Sequence, residues 1–250
     1  MNNQKLPFLL GENVDDKTKF EVDLAHLPNL LIGGTRGQGK SALLEKIIRS
    51  LQERMSYREL QFVLFDPSHV EFCQIEEGYF SRTLITSPEK MMLELERLDA
   101  EIEKRLTMFA QARCRNLADF NARPGRERNT HTCSHSTIVP YIVVVADDMT
   151  ELIAEEGVKV RTLIRRLTAR ARAAGVHFIM SVRSMDPTTM QVFPLDNFPA
   201  RIAFKTWSAA DSTALVGVED AKDLSRLGEF IFRRGVDRPI HCHLKADDMA

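Results

Sequence analysis

The alternation of apolar and polar positions along the chain predicts a set of short, buried strands. Leu60–Phe65 and Tyr141–Ala146 are nearly continuous apolar runs, which is typical of strands covered on both faces of a parallel sheet. Residues 7–24 predict a β-hairpin, because two strand-like segments flank a polar turn. Weaker runs predict further strands at residues 30–32, 82–86, 176–181, 201–205, 229–233 and 240–244.

The segments between these strands have apolar residues at helical spacing, which predicts helices there. The longest apolar stripe starts at Pro88, which suits a first helical turn, and ends near residue 112. Further helices are predicted at about 40–53, 159–174 and 208–216, and residues 122–139 are the most loop-like part. Alternating strands and helices predict an α/β fold with a mainly parallel sheet in three layers. The chain shows no internal repeat and no long linker, so residues 1–250 are predicted to form a single domain.

The composition limits where the protein would be found but does not indicate a binding partner. The chain has 250 residues, of which 44% are hydrophobic, and a net charge of −1. No apolar run is long enough to cross a membrane, and the amino terminus lacks the apolar core of a signal peptide. Four scattered cysteines suit reduced thiols. A cytoplasmic protein is therefore expected, and any nucleic-acid surface would have to be local.

One segment has the pattern of a phosphate-binding loop, G-x-x-x-x-G-K-S, between a predicted strand and a predicted helix. Its glycines let successive N–H groups point at a phosphate chain, and the helix N-terminus adds positive potential. Lys40 would reach the β- and γ-phosphates, and the Ser41 hydroxyl would bind Mg²⁺. ATP and Mg²⁺ are therefore the expected ligands. The loop residues are Gly34, Thr35, Arg36, Gly37, Gln38, Gly39, Lys40 and Ser41.

An acidic pair, Asp147 and Asp148, follows the strongest predicted strand. In P-loop NTPases an Asp at such a strand end helps to hold Mg²⁺, and Asp147 suits that role. Asp148 would orient the attacking water, although its side chain is one methylene shorter than that of the usual Glu. The alternative is that the pair caps a turn or a helix.

Several stretches, in preserved order over nearly the whole chain, resemble the motor domain of the FtsK/SpoIIIE DNA translocases. Residues 65–72 are similar to the family's "IDPKxVEL", residues 115–121 to "VRNIxxYN", residues 171–177 to "ARAAGIH" and residues 197–204 to "NFPTRIAF". Residues 7–13, 23–35 and 140–145 also match. The resemblance implies a RecA-like P-loop ATPase that assembles as a hexameric ring and moves double-stranded DNA. We expect no winged-helix module of the family within residues 1–250.

The chain departs from the family pattern where the nucleotide would react. Asp148 replaces the Glu of "DE", and Thr213 occupies the Arg position of "DSR". Arg183 occupies the Gln position of "ATQRP", which the resemblance implies to be a γ-phosphate sensor. Arg36 lies in the phosphate loop, where small residues are usual. ATP binding is still expected, but the rate of hydrolysis and its coupling around a ring remain open.

Arginines are candidates for two further roles. Arg172, Arg183 or Arg201 would stabilise charge on the transferring phosphoryl group, in cis or from a neighbouring subunit. A cluster on the helix before Gly175 either contacts DNA phosphates or lies on a solvated face or subunit interface paired with Glu151, Glu155 and Glu156. Its members are Arg161, Arg165, Arg166, Arg170 and Arg172. Residues 185–196, at the place of the family's pore loop, contain no Lys or Arg.

Histidine and cysteine patterns suggest zinc only weakly. His131, Cys133 and His135 are spaced too tightly for the usual ligand pattern, as are His241 and His243, and the chain contains no C-x-x-C. We expect no metal site in these segments.

Three functions follow as hypotheses. The first is a ring motor that couples ATP hydrolysis to double-stranded DNA translocation. The second is a related ATPase of a secretion or conjugation apparatus, with other protein chains as partners and a protein or nucleoprotein cargo. The third is a nucleotide-binding assembly module that hydrolyses ATP slowly, because of Asp148 and Arg183.

Overall fold

The computed structural model describes residues 6–68, 71–72, 75, 84–123 and 138–244. The strands are β1 (Pro7–Asn13), β2 (Lys19–Asp23), β3 (Asn29–Gly33), β4 (Leu60–Phe65), β5 (Tyr141–Ala146), β6 (Val176–Val182), β7 (Ala200–Ala203), β8 (Glu229–Arg234) and β9 (Ile240–His243). The helices are α1 (Lys40–Gln52), α2 (Pro88–Gln111), α3 (Leu117–Asn121), α4 (Thr150–Ala174), α5 (Pro187–Val192) and α6 (Ala209–Val216). The described residues also include two 3₁₀ turns, Leu195–Asn197 and Asp220–Asp223.

The strands form one sheet in the order β2-β1-β9-β8-β7-β3-β6-β5-β4. Strands β7, β3, β6, β5 and β4 are parallel to one another. The carboxyl ends of β3, β6 and β5 therefore lie side by side, and these are the ends that carry the phosphate loop and the acidic pair. Ligands of open α/β sheets bind at this edge.

The other side of the sheet is antiparallel. Strand β8 pairs with β7 and β9, and the predicted hairpin β1–β2 joins through β9. The parallel character predicted from the sequence therefore holds for the five-stranded centre, and four antiparallel strands extend it at one edge.

Two cores cover opposite faces of the sheet and give the three layers. Alternate residues of β5 face opposite sides: Val144 packs with α2 and α4, whereas Val143 and Val145 pack with α1 and the β1–β2 hairpin. This period of two explains why a strand buried on both faces appears as a continuous apolar run. The fold class is the predicted one, and the single-domain organisation stays a prediction.

Helix α4 begins at Thr150, nine residues before the predicted start of 159. The prediction was wrong because Glu156 departs from helical geometry, with φ −122° and ψ 25°, and Gly157 follows it. This kink interrupts the apolar periodicity, so the first turns escape a pattern search. The residues before the kink nevertheless pack into the core through Leu152 and Ile153.

Two short helices were not predicted. One is α3, and the other, α5, lies inside the segment that the sequence suggests to be a pore loop. The side chain of Asp186 accepts hydrogen bonds from the Thr188 and Thr189 N–H groups, and Pro187 occupies the first turn. These are local start signals for a helix.

Two weaker predictions are only partly described. Of the proposed strand at 82–86, Ile85 makes a single bridge to Phe65, and residues 82–83 lie outside the described part. Residues 124–137 of the predicted loop also lie outside it. In the described part of the chain, no helix combines the length and apolar character that crossing a membrane requires.

Candidate nucleotide site

The phosphate-binding loop, residues 34–41, connects β3 to α1. Gly34 has a φ of 144°, and a Cβ atom there would lie 2.8 Å from the Cβ of Phe204. Any other residue would meet both backbone strain and a steric clash. The Thr35 N–H donates to the Lys205 carbonyl at 2.8 Å. The segment after β7 therefore holds the loop in place from outside.

Helix α1 starts directly behind the loop, with Gly39 as its N-cap residue and no acidic side chain in its first turn. The free N–H groups and dipole of such a helix end attract anions. Lys40 Nζ donates to the carbonyls of Gly34 at 2.7 Å and Thr35 at 2.9 Å, so the ammonium lies within the curve of the loop. Burial lowers the pKa of Lys40, and two nearby carboxylates oppose that shift. Positive potential and N–H donors therefore converge here.

Asp147 is buried at the end of β5 and faces the loop. Ser41 Oγ donates to Asp147 Oδ2 at 2.8 Å, and Ser181 Oγ donates to Oδ1 at 2.8 Å. Burial raises the pKa of Asp147, and the two hydroxyl donors oppose this by stabilising the carboxylate. The two side chains that the sequence suggests as Mg²⁺ ligands thus lie within hydrogen-bond distance of each other.

Asp148 has a left-handed backbone, with a φ of 56°. Its N–H donates to Ser181 Oγ at 2.8 Å, and its Oδ1 accepts from the Thr150 N–H at 3.1 Å. Its Oδ2 is in ion-pair contact with Nε of Arg183, although the two groups are not aligned as a hydrogen bond. The residue predicted to orient water is therefore paired with the residue at the predicted sensor position.

Glu71 also lies at the site, although no sequence pattern predicts a role for it there. Asp66, fully buried after β4, accepts hydrogen bonds from the N–H groups of Ser68, Glu71 and Phe72. This holds Glu71 at the same cavity as Asp147. Although its side chain is exposed overall, partial burial raises the pKa of Glu71 and the Asp147 carboxylate adds to the shift. Residues 65–72 resemble a family motif, but no pattern within this segment indicates that the Glu71 carboxylate belongs to the site.

One cavity of about 580 Å³, a volume typical of small-molecule sites, is lined by Lys40, Ser41, Glu71, Asp147, Asp148 and Arg183. The hydroxyl and carboxylate oxygens at its floor are the ligand types that Mg²⁺ prefers, and the loop N–H groups with Lys40 suit a phosphate chain. The residues therefore fit Mg²⁺ and a nucleotide. Arg36, Gly37, Gly39, Ala42, Pro67, Ser68, Glu151 and Leu227 form the rest of the wall. Glu151 and Leu227 come from segments without a motif, so only the fold could reveal them.

Three loop residues shape the site without lining it. The carbonyls of Gly34 and Thr35 accept hydrogen bonds from the Lys40 ammonium group. The Gln38 carbonyl accepts the Gly228 N–H at 3.2 Å, which ties the loop to the turn before β8.

Arg172 and Arg201 lie away from this cavity. Arg172 lines a second cavity, of about 660 Å³, with Arg115 and His177. Because His177 is near the start of β6, that cavity lies at the opposite edge of the sheet. Arg201 Nη2 donates to the Gly235 carbonyl at 3.2 Å, and burial together with a nearby arginine lowers the pKa of Arg201. Of the three candidate charge-stabilising arginines, the fold brings only Arg183 to the site in the same chain.

The arginine cluster of α4 packs partly against α2. Arg166 makes an ion pair with Asp99 at 2.8 Å, and Arg170 makes one with Glu103. Arg161 donates to the side chain of Gln191 at 3.3 Å. The acidic partners of Arg166 and Arg170 are therefore on α2 and are not the expected glutamates of α4.

The histidine patterns gain no support as a metal site. Residues 131–135 lie outside the described residues. His241 and His243 lie on β9, and His243 approaches Glu12 at 4.0 Å. Among the residues that the structure describes, no three His, Cys, Asp or Glu side chains gather as metal ligands would.

Known proteins share this architecture. The cytoplasmic domain of the Thermomonospora curvata type VII secretion ATPase EccC superposes with a TM-score of 0.80 at 21% identity, covering 96% of this chain and 28% of that one. The pCW3 conjugation coupling protein TcpA, in its monomer form with ATPγS, gives a TM-score of 0.78 at 22% identity, covering 98% and 68%. These likenesses show a shared P-loop ATPase fold.

Relatives found by sequence share more identical residues with this chain than these two structures do. The DNA translocase FtsK of Rickettsia prowazekii (strain Madrid E) is 30% identical over 261 residues, which cover 95% of this chain and 35% of the relative. The DNA translocase FtsK of Staphylococcus aureus (strain Mu50) is 31% identical over 233 residues, which cover 92% and 29%. The chain thus spans about a third of the length of the curated relatives it matches. A model of the FtsK/SpoIIIE family matches residues 1–187. With the phosphate loop and acidic pair set on a shared ATPase fold, these matches show that the chain belongs to the FtsK/SpoIIIE family.

Proposed function

We propose that this chain is a Mg²⁺-dependent ATPase motor that couples ATP hydrolysis to translocation of double-stranded DNA. The observation that carries the proposal is the 2.8 Å contact between the Ser41 hydroxyl and the Asp147 carboxylate at the mouth of the phosphate loop. Bound Mg²⁺ would neutralise charge on the phosphates as the γ-phosphoryl group transfers. The relatives named DNA translocases support the cargo.

Each side chain of the site has a separate task in this proposal. Lys40 and the loop N–H groups bind the phosphates, and Ser41 with Asp147 holds the metal. Asp148 orients the attacking water. Arg183 stabilises developing charge from within the same chain. Because Asp148 and Arg183 are paired, the water would bind at a lone pair of the Asp148 carboxylate that this contact leaves available.

In this function several copies of the chain would form a cytoplasmic ring, with a hexamer as the expected assembly. Arg172 and Arg201 are too far from the cavity of their own chain to reach its phosphates, so either would act only on a neighbouring subunit. Replacing each by Ala and measuring hydrolysis at saturating subunit concentration tests them. An unchanged rate eliminates the residue concerned.

Steady-state ATP hydrolysis with and without double-stranded DNA tests the motor, together with mass measurement in the presence of nucleotide. We expect DNA to stimulate turnover and nucleotide to promote a ring. Asp147→Asn should abolish metal-dependent turnover, and Asp15→Asn, an equal change in the exposed β1–β2 turn, should leave it intact. Hydrolysis that does not respond to DNA would refute the DNA motor.

A secretion or conjugation ATPase acting on protein or nucleoprotein is the second candidate. Two observations favour it: Arg166 and Arg170 are paired with acids of α2, and residues 185–196 contain no Lys or Arg. Both reduce the positive charge available for DNA. Titration with DNA at several salt concentrations separates the candidates, since phosphate contacts weaken steeply with salt.

The pairing of Asp148 with Arg183 supports a third candidate, an assembly module that hydrolyses ATP slowly. Asp148→Glu would extend the carboxylate by one methylene toward the site of the attacking water. A rise in turnover for this variant would support the slow module. Brisk turnover by the wild-type chain would reject it.

A further inference from the structure

Ser181, near the end of β6, contacts both acids of the site. Its hydroxyl has one proton, which it donates to Asp147 Oδ1 at 2.8 Å. The same oxygen accepts the Asp148 N–H at 2.8 Å. Its backbone carbonyl accepts the Met149 N–H at 2.9 Å. One residue therefore holds three consecutive residues of the turn after β5.

The single proton of this hydroxyl is fully committed. Ser181 is fully buried, and β6 lies between β3 and β5. With its proton committed to Asp147 and a lone pair to Asp148, the position of the hydroxyl hydrogen is determined. Buried hydrogen bonds to a charged acceptor are among the stronger ones in proteins.

These contacts have two geometric consequences. Because Ser181 takes Oδ1 of Asp147, Oδ2 is left to face the Ser41 hydroxyl. Because Ser181 receives the Asp148 N–H, it supports a left-handed backbone that few non-glycine residues adopt. That backbone directs the Asp148 carboxylate to the cavity and to Arg183.

We infer that Ser181 is a positioning residue that couples the metal-holding carboxylate of Asp147 to the water-orienting carboxylate of Asp148. The inference rests on the proposed ATPase function and deepens it. Ser181 does not touch nucleotide or metal. It sets the direction of Asp147 Oδ2 and the backbone of Asp148 together, so removing its hydroxyl disturbs metal affinity and turnover at once.

The test compares Ser181→Ala with the wild-type chain and with Ser50→Ala. Ser50 is a matched control, because its hydroxyl also makes a hydrogen bond with a backbone N–H, that of Leu9 at 3.2 Å, but far from the cavity. The measurements are the magnesium concentration that half-saturates ATP hydrolysis, the turnover number, and binding of a fluorescent ATP analogue without metal. Magnesium dependence is a readout that a merely structural role would not move.

We expect Ser181→Ala to raise the half-saturating magnesium concentration about tenfold, in line with the loss of one hydrogen bond to a charged group. Turnover should fall as well, metal-free analogue binding should be unchanged, and Ser50→Ala should match the wild-type chain. The same magnesium dependence in Ser181→Ala and the wild-type chain would overturn the inference alone. No magnesium effect in the wild-type chain would overturn the proposed function as well.

A second pair of variants decides the matter if Ser181→Ala does not fold. Ser181→Thr keeps the hydroxyl, and Ser181→Val has nearly the same shape without it; both side chains suit a strand. We expect the Thr variant to bind magnesium more tightly than the Val variant. Equal magnesium dependence in the two would overturn the inference.

Discussion

The stability of this protein should depend on pH through one buried histidine. His177, on β6, is 1% exposed, and its Nδ1 lies 3.1 Å from the Pro28 carbonyl. Since a carbonyl only accepts, Nδ1 carries the proton, and in the neutral ring Nε2 has none; Nε2 has no partner among the described residues. Burial lowers the pKa of His177 from 6.5 to about 4, and Arg172 acts in the same direction, against the Pro28 carbonyl and Asp23.

The sign follows from which state binds the proton. Between pH 6.5 and about 4 the unfolded chain takes up a proton at this histidine and the folded chain does not, so stability falls as pH falls. Above this window the imidazole is neutral in both states and costs nothing. The interval corresponds to about 3 kcal/mol of unfolding free energy, at about 1.4 kcal/mol per pH unit.

The assay is urea unfolding at a series of pH values, followed by far-ultraviolet circular dichroism, because the single tryptophan, Trp207, is already exposed in the folded chain. His177→Asn keeps an N–H donor near the Pro28 carbonyl but does not titrate. We expect the wild-type chain to lose about 3 kcal/mol more than this variant between about pH 7 and about pH 4.

Equal slopes for the wild-type chain and His177→Asn would refute the reasoning. A nuclear magnetic resonance titration that places the His177 pKa near 6.5 would refute it independently. A uniform loss of stability in His177→Asn at every pH would not count, because the smaller side chain leaves a cavity that is the same at all pH values.

Two further predictions concern stability. Gly175→Ala should lower the free energy of unfolding by about 2–4 kcal/mol, because φ is +71° and the new Cβ would lie 2.1 Å from Cδ2 of Leu117. Gly157→Ala should raise the free energy of unfolding by about 0.5 kcal/mol, because its new Cβ would meet nothing within 4 Å. Denaturant titration checks both, and equal effects would contradict the steric argument. Arg105→Met should cost about 2–4 kcal/mol, since the buried guanidinium donates to the carbonyls of Pro140 and Ala174 at 2.9 and 3.1 Å. Thermal unfolding measures this loss, and an unchanged melting temperature would show that the bridge between α2, β5 and α4 contributes little.

The parts of the site that neighbouring residues in the chain form can be predicted from the sequence. The phosphate loop needs only its own glycines, a preceding strand and a following helix, and all of these lie within residues 29–52. Asp147 is recognisable because it directly follows the most apolar strand of the chain. Such features depend on local backbone geometry and burial, which short segments encode by themselves.

Contacts between segments that are distant in the chain could not be predicted from the sequence. The position of Ser181 between the acids depends on β6 lying between β3 and β5, and no local pattern states a strand order. The pairing of Asp148 with Arg183, the place of Glu71 and the partners of the α4 arginines arise in the same way. The start of α4 was missed for a different reason, the kink at Glu156.

The sequence by itself thus determined the family, the α/β class and the loop that would bind phosphate. The tertiary structure decided which side chains surround that loop and which arginines stay outside it. The physical reason is that loops and helix ends are specified by neighbours in the chain. Strand order results from burying two apolar faces at once, which only the whole chain can do.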